Sequence, residues 1–245
     1  MSVHDWLYPA SVLLTGYVVL GITGFGSALV TVPLLAWIWP LPEVVVLAIL
    51  LDIPAAMLHG GLNFRQVNWP SVTGMLPGML VGTAIGLGLA GLFDQRWPLF
   101  ILGVYIMLVG LKAWRRRIHV QGSISPLMYH AGSSLVGVIE VMFATAGPMV
   151  LAILQRRLPD IAAIRATAPV TMVVVGSIAV AALLGSAGVD STEVMYRWAY
   201  ALPVALLGVV LGNRVARHLP VPLMARLIAV LLFTSGLSLT RHMWV

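Results

Sequence analysis

The chain has no cysteine, a single lysine (Lys112) and only eight acidic residues in 245. Without cysteine there are no disulfide frameworks, thiolate metal sites or thiol nucleophiles. The scarcity of charge excludes more. Charged side chains make up 9% of the residues and apolar ones 60%, against about 25% and roughly 45–50% in a soluble domain. So few charges cannot cover a water-facing surface, which removes both the compact soluble enzyme and the disordered chain. No HExxH helix, Walker sequence or recognisable Ser/His/Asp trio is present, so zinc, ATP-driven and triad chemistry have no carrier. Met75 and Met79, four apart, read as apolar filler rather than a soft-metal path. What remains is an all-α polytopic membrane protein.

The net charge of +6 comes from Arg residues in short gaps between apolar runs. Such gaps set orientation and do not form a nucleic-acid face. Met1–Tyr8 lacks a basic n-region, and no cleaved leader is expected. Trp6, Trp39, Trp69, Trp97, Trp198 and Trp244 near segment ends fit an aromatic belt.

About eight hydrophobic segments follow one another: Tyr8–Trp39, Val44–Met57, Val72–Leu92, Trp97–Ala113, Leu127–Leu154, Ile161–Leu184, Val194–Leu211 and Pro222–Leu239. Two are too long. As single helices Tyr8–Trp39 and Leu127–Leu154 would measure about 48 and 42 Å, against a hydrocarbon core of ~30 Å. Small residues and proline interrupt both, at Gly21–Ser27 with Pro33, and at Ala144–Pro148.

Charge placement distinguishes single crossing from folding back. If each long stretch crosses once, Lys/Arg divide 7 against 7. If each folds back as a hairpin, the tally is 11 against 3. Arg65, Lys112, Arg115–Arg117, Arg156, Arg157, Arg165, Arg214, Arg217 and Arg226 then face Arg96, Arg197 and Arg241. Leaving out Arg165 makes it 10 against 3. The positive-inside rule selects the hairpins.

Each half is then one broken hairpin followed by three spanning helices, an odd number of crossings. The halves, residues 1–116 and 117–245, become inverted-topology repeats, an architecture of secondary transporters. The basic link Lys112–Pro126 separates them. Both termini are expected to be periplasmic and the basic loops cytoplasmic. Weak internal matches keep their order: Leu41-Pro42-Glu43 with Leu158-Pro159-Asp160, Asn68-Trp69 with Arg197-Trp198, and Gly78 and Gly82 with Gly208 and Gly212.

A hairpin tip inside a bilayer must line a protein-enclosed cavity. The half-helix leaving it offers free amides and the positive end of its dipole to an anion. Gly24 and Gly26 allow close backbone approach, Ser27 adds a hydroxyl, and Gly147-Pro148 opens the second half-helix with Thr145 beside it. Close helix packing by small residues is the competing reading.

The run Gly24-Phe25-Gly26-Ser27-Ala28 with Pro33 resembles the first motif of the TauE/SafE sulfite exporter family, which includes transporters like the 4-toluene sulfonate uptake permease. Gly137 through Gly147-Pro148-Met149-Val150-Leu151, followed by Arg165-Ala166-Thr167, resembles its second. The resemblance implies a bacterial inner-membrane carrier for sulfite, sulfonates or related sulfur oxyanions. Relatives are richer in Gly where this chain has Ser27, Ala28, Glu140, Ala144 and Ala146.

The Arg-Ala-Thr match points to Arg165 as a bidentate countercharge for a sulfonate, or else a cytoplasmic anchor like Arg156 and Arg157. Thr167 is a hydroxyl contact or ordinary packing. Asp52 lies mid-segment, where an ionised carboxylate costs at least ~2.5–3.5 kcal/mol. It reads as a proton-coupling group, or else as a structural pair or a helix-end position before Pro54. His59, two turns along, is a proton relay or an interfacial residue. Glu140 carries a proton or is buried by hydrogen bonds to a tip. His130 is interfacial.

The expected function is secondary transport of a small sulfur oxyanion, gradient-coupled with alternating access, and no catalysis. The substrate set is Gly24, Gly26, Ser27, Thr145, Gly147, Pro148, Arg165 and Thr167, and the coupling set is Asp52, Glu140 and His59. No metal or cofactor is expected. Partners are the anion, the bilayer, a coupling proton or sodium ion and, as an open choice, a second copy. The alternatives are a carrier for another small anion such as a carboxylate, and a non-transporting membrane partner subunit.

Overall fold

In a computed structural model of the chain, residues 3–24, 26–60, 64–92, 96–114, 124–185 and 189–216 are described, with 218, 230, 233, 236 and 237 beyond them. Most of the last apolar segment, Pro222–Leu239, lies outside the described residues. So do the side chain of His59, Phe25, the link residues 115–123, Arg217, Arg226 and Arg241.

The described residues form nine α-helices and no strand. They are α1 (Val3–Thr23), α2 (Ala28–Leu35), α3 (Leu41–Gly60), α4 (Trp69–Leu92), α5 (Arg96–Trp114), α6 (Pro126–Phe143), α7 (Gly147–Arg157), α8 (Ile161–Leu184) and α9 (Ser191–Ala216), with a 3-10 turn at Phe64–Gln66. Five are long and apolar enough to cross a membrane, within α1, α3, α4, α8 and α9. Their outward faces stay apolar, as at Leu80, Val81 and Ile85 of α4 and Leu207 of α9. Such faces suit lipid, where apolar exposure has no cost.

Both over-long stretches are broken. The first stops after Thr23, where Gly24 and Gly26 take φ of 83° and 93°. The second stops at Ala144, a non-glycine residue at φ 55°. Left-handed backbone ends a helix because it turns the next amide off the axis. In both places the turn residue's amide bonds four residues back, Gly24 to the Leu20 carbonyl at 2.7 Å and Ala144 to the Glu140 carbonyl at 2.8 Å.

Each stretch then folds back. The Tyr8 hydroxyl, early in α1, donates to the Leu34 carbonyl at the end of α2 at 2.9 Å, and the Trp6 and Trp39 rings lie 6.1 Å apart. Early in α6, Gly132 faces Ile153 of α7, and the Arg157 guanidinium lies 4.4 Å over the Tyr129 ring.

Glycines set the long-range packing. Gly208 and Gly212 of α9 lie against Leu14, Tyr17, Val18 and Gly21, so α1 and α9 run parallel. Gly78, Gly82 and Gly86 of α4 lie against His130, Ser133, Ser134, Gly137, Val138 and Val141, so α4 and α6 run parallel too. Each hairpin therefore packs on a long helix from the other half of the chain. Gly208 meets Tyr17, seven positions before Gly24, and Gly82 meets Gly137, seven before Ala144. Gly82 and Gly208 thus stand at the same distance from the two breaks, as do Gly86 and Gly212. Glu43 lies in the first turn of α3, whereas Asp160 caps α8 from outside. Trp69 opens α4, while Trp198 sits two turns into α9 with its indole on the Leu50 carbonyl at 3.1 Å.

Helices α3 and α8 occupy the middle and pack on each other. At the foot of the first hairpin, Arg197 of α9 donates to Glu43 at 2.8 Å and to Glu193 at 3.0 Å, and lies 4.4 Å over the Trp39 ring.

A methyl group on Gly82 would run into the Ser134 carbonyl, while one on Gly88 would meet nothing within 4 Å. Gly82→Ala is therefore expected to lower thermal stability in detergent by about 1–3 kcal/mol. Gly88→Ala should leave it unchanged or raise it by roughly 0.5–1 kcal/mol. Equal unfolding midpoints for the two variants would contradict the close α4–α6 approach.

Candidate functional site

The two breaks meet around one cavity of about 40 Å³, room for a few water molecules. Gly24, Gly26 and Ala28 border it from the first tip, and Ala144, Thr145, Gly147 and Pro148 from the second. Asp52 of α3, Glu140 of α6 and Met172 of α8 also line it, together with apolar side chains such as Leu20, Ile53 and Val173.

At the first tip, Ser27 occupies the N-cap of α2, but its side chain makes no cap bond. The hydroxyl donates instead to Asp52 Oδ1 at 2.6 Å. The Tyr17 hydroxyl, fully buried on α1, donates to the same oxygen at 2.8 Å. Two hydroxyls thus fix one carboxylate oxygen in place from two helices. Val30 and Thr31 amides turn back to the Ser27 carbonyl, whereas the amides of Ala28 and Leu29 have no partner within α2.

The second tip is held differently. The Ala146 amide donates to Glu140 Oε2 at 3.1 Å, so a side chain from α6 bridges the break. Met149 and Val150 amides return to the Ala146 carbonyl, and Pro148 has no N–H to offer. The Tyr105 hydroxyl of α5 donates to the Thr145 carbonyl at 3.2 Å and pins the turn from outside. The Thr145 hydroxyl is buried with no hydrogen-bond partner.

Of the residues singled out from sequence, Gly24, Gly26, Thr145, Gly147, Pro148, Asp52 and Glu140 come together around this cavity. Ser27 stands behind Asp52. Arg165 lies elsewhere, exposed near the start of α8, and is not among the lining residues. The Thr167 hydroxyl accepts from the Asn68 amide at 2.9 Å and ties the start of α4 to α8. The side chain of His59 is outside the described residues. Among the described residues no Lys, Arg or His borders the cavity, so its acidic pair faces dipoles, hydroxyls and apolar side chains. The described residues hold no cluster suited to a metal ion.

Tyr17 and Tyr105 are the residues that pattern reading passed over. Each is a phenol embedded in an apolar run, and a buried phenol needs a hydrogen-bond partner. That requirement was the available signal, although nothing in the sequence named the partner.

The chain matches the sulfite exporter TauE/SafE family over residues 8–239. It is 59% identical over 198 residues to the "Probable inner membrane transporter protein TsaS" of Comamonas testosteroni, a span covering 81% of this chain and 83% of that protein. No solved structure matches it. The chain belongs to the TauE/SafE family and is a membrane transporter, not an enzyme.

The two tips differ in a way that stability can read. Ser27→Ala removes a bond to Asp52 and should lower stability in detergent by about 0.6–1.7 kcal/mol, the span found for interhelical hydrogen bonds in membranes. Thr145→Val removes a hydroxyl that no protein group uses, and should be neutral or stabilising. A larger loss for Thr145→Val than for Ser27→Ala would contradict this assignment of partners.

Proposed function

We propose that the chain is a secondary transporter of small sulfur oxyanions, sulfite or an organosulfonate, bound between the two hairpin tips and moved by alternating access. One observation carries the reading: both broken stretches, far apart in sequence, border the same cavity. The family's description as sulfite exporters supplies the cargo class.

Two inverted-topology repeats, residues 1–116 and 117–245, account for the geometry. Helices α1 and α3 both leave the face where Trp6 meets Trp39, and α4 returns toward it. The α1–α9 pair therefore runs opposite to the α4–α6 pair. Cavity residues also correspond at a constant separation of 120 positions: Leu20 with Glu140, Gly24 with Ala144, Ala28 with Pro148, Asp52 with Met172 and Ile53 with Val173. Chance matches in apolar sequence would not hold one offset around one cavity.

Among the described helices, Arg65, Lys112, Arg156, Arg157, Arg165 and Arg214 fall toward one face, and Arg96 and Arg197 toward the other. Arg197 is additionally neutralised by Glu43. The first face is cytoplasmic by the positive-inside rule, and the N-terminus periplasmic.

Cargo oxygens would take the open amides of Ala28 and Leu29 at one tip, and the Thr145 hydroxyl and Gly147 amide at the other. An arylsulfonate exceeds the present volume, so loading requires the hairpins to part. Rocking of one repeat against the other supplies that motion. Asp52 and Glu140 share the cavity with the anion, and two carboxylates beside an anion in low dielectric repel it strongly. A proton carried on Asp52 with each cargo relieves that repulsion and couples flux to the proton gradient. Arg165, exposed on the cytoplasmic side, acts at the entrance rather than in the cavity.

Asp52→Asn keeps the hydrogen-bonding shape and removes the titration. In liposomes, sulfite flux through the parent protein should rise with an imposed proton gradient, and flux through Asp52→Asn should not respond to it. An unchanged response would remove Asp52 from coupling. Arg165→Ala should keep full anion-induced thermal stabilisation; its loss would return Arg165 to the binding site.

A further inference from the structure

The two tips are related by position but not by chemistry, and the difference lies in one side chain. Glu140 reaches across the break in the second hairpin and accepts the Ala146 amide at 3.1 Å. Its counterpart 120 positions earlier is Leu20, which can accept nothing. At the first tip Ala28 and Leu29, whose amides have no partner within α2, border the cavity. At the second, Pro148 has no N–H, Met149 and Val150 are satisfied by the Ala146 carbonyl, and Glu140 holds Ala146. Beside this carboxylate sits the buried Thr145 hydroxyl with no partner. The turn itself is strained, since Ala144, a non-glycine residue, is held at φ 55°.

A carboxylate is a planar pair of oxygens with delocalised charge, chemically close to one face of a sulfite or sulfonate group. We infer that Glu140 is an internal competitor for the cargo: its carboxylate occupies the Ala146 amide just ahead of α7, and a cargo oxygen must displace it to add that amide to the Thr145 hydroxyl and the Gly147 amide. This rests on the reading of the cavity as the anion site. The room for displacement is the cavity that Glu140 itself borders; on its other side Gly176 of α8 lies close, with Ile49 filling the space a side chain there would take. A methyl group there would stand 3.5 Å from Oε1. Groups that could compete for the freed carboxylate are few. Tyr105 is engaged with the Thr145 carbonyl, α4 has no ionisable residue, Arg165 of α8 is exposed, and Asp52 is an acid. Return of Glu140 to Ala146 then expels the anion, so tight capture at both tips never persists.

The test is sulfite binding to the purified full-length protein, with two substitutions that separate competition from charge. Glu140→Asp keeps the charge and shortens the side chain by one methylene, withdrawing it from Ala146. Glu140→Ala removes both charge and reach. Competition predicts that Glu140→Ala binds sulfite about tenfold more tightly than the parent, the weight of one net hydrogen bond. Glu140→Asp should also bind more tightly than the parent although its charge is unchanged. Glu140→Asp binding equally or more weakly overturns the inference, whatever Glu140→Ala does, and decides the matter alone should Glu140→Ala fail to fold. If the parent protein binds no sulfite at any concentration, the anion-site reading fails and this inference falls with it. Parent binding with an unaltered Glu140→Asp refutes the competitor alone.

Discussion

A peptide group that leaves its helix inside a bilayer finds no water to bond to, and this chain leaves its helices twice at that depth. Lipid-facing exposure of such backbone is prohibitive, so both breaks must be enclosed by protein. Enclosure explains the arrangement around them. Helices α3 and α8 fill the centre, and parallel long helices close over each hairpin. A phenol or a carboxylate reaches each turn. The cavity is what remains between two ends of backbone that nothing else can satisfy.

Close packing is what brings the ends together. At Gly82, Gly137 and Gly212 the neighbouring atoms are backbone rather than flexible side chain, so the helices touch backbone to backbone. Without a hydrophobic force between helices in lipid, such contact depends on dispersion and small residues. Among the described residues the buried ion pair is at the periphery, Arg197–Glu43, and the cavity is lined by carboxylates, backbone and apolar side chains without a cation. That separation suits the proposed anion transport: a permanent cation in the cavity would hold an anion too firmly, whereas the proposed site of amides and a neutralisable acid can release it.

Much of this was legible in the sequence because membrane thickness is a ruler. A charge-free run from Tyr8 to Trp39 is too long to cross once, and the charge tally chose the hairpin. Gly24–Ser27 and Ala144–Pro148 were identifiable as the turns from the glycine and proline they contain. A register between the halves is less legible, because two-residue matches in apolar sequence slip by a helical turn at no cost. The site was readable only in its backbone part. Tyr17 and Tyr105 bond across helices to partners far away in sequence, and no local pattern encodes such a pairing. Arg165 and Thr167 entered through family resemblance. One is exposed, and the hydroxyl of the other holds the Asn68 amide. Spacing along a chain does not say which side of a helix faces the cavity.

The doubling back of the two stretches is the claim on which everything else stands, and the absence of native cysteine makes it directly measurable. Single cysteines at Leu7, Ile38, Leu127 and Arg156, all exposed positions, can be labelled with a membrane-impermeant maleimide from either side of oriented vesicles. Leu7 and Ile38 should label from one side, and Leu127 and Arg156 from the other. Labelling of Leu7 and Ile38 from opposite sides would mean that the first stretch crosses the membrane once, and the cavity between two tips would not exist.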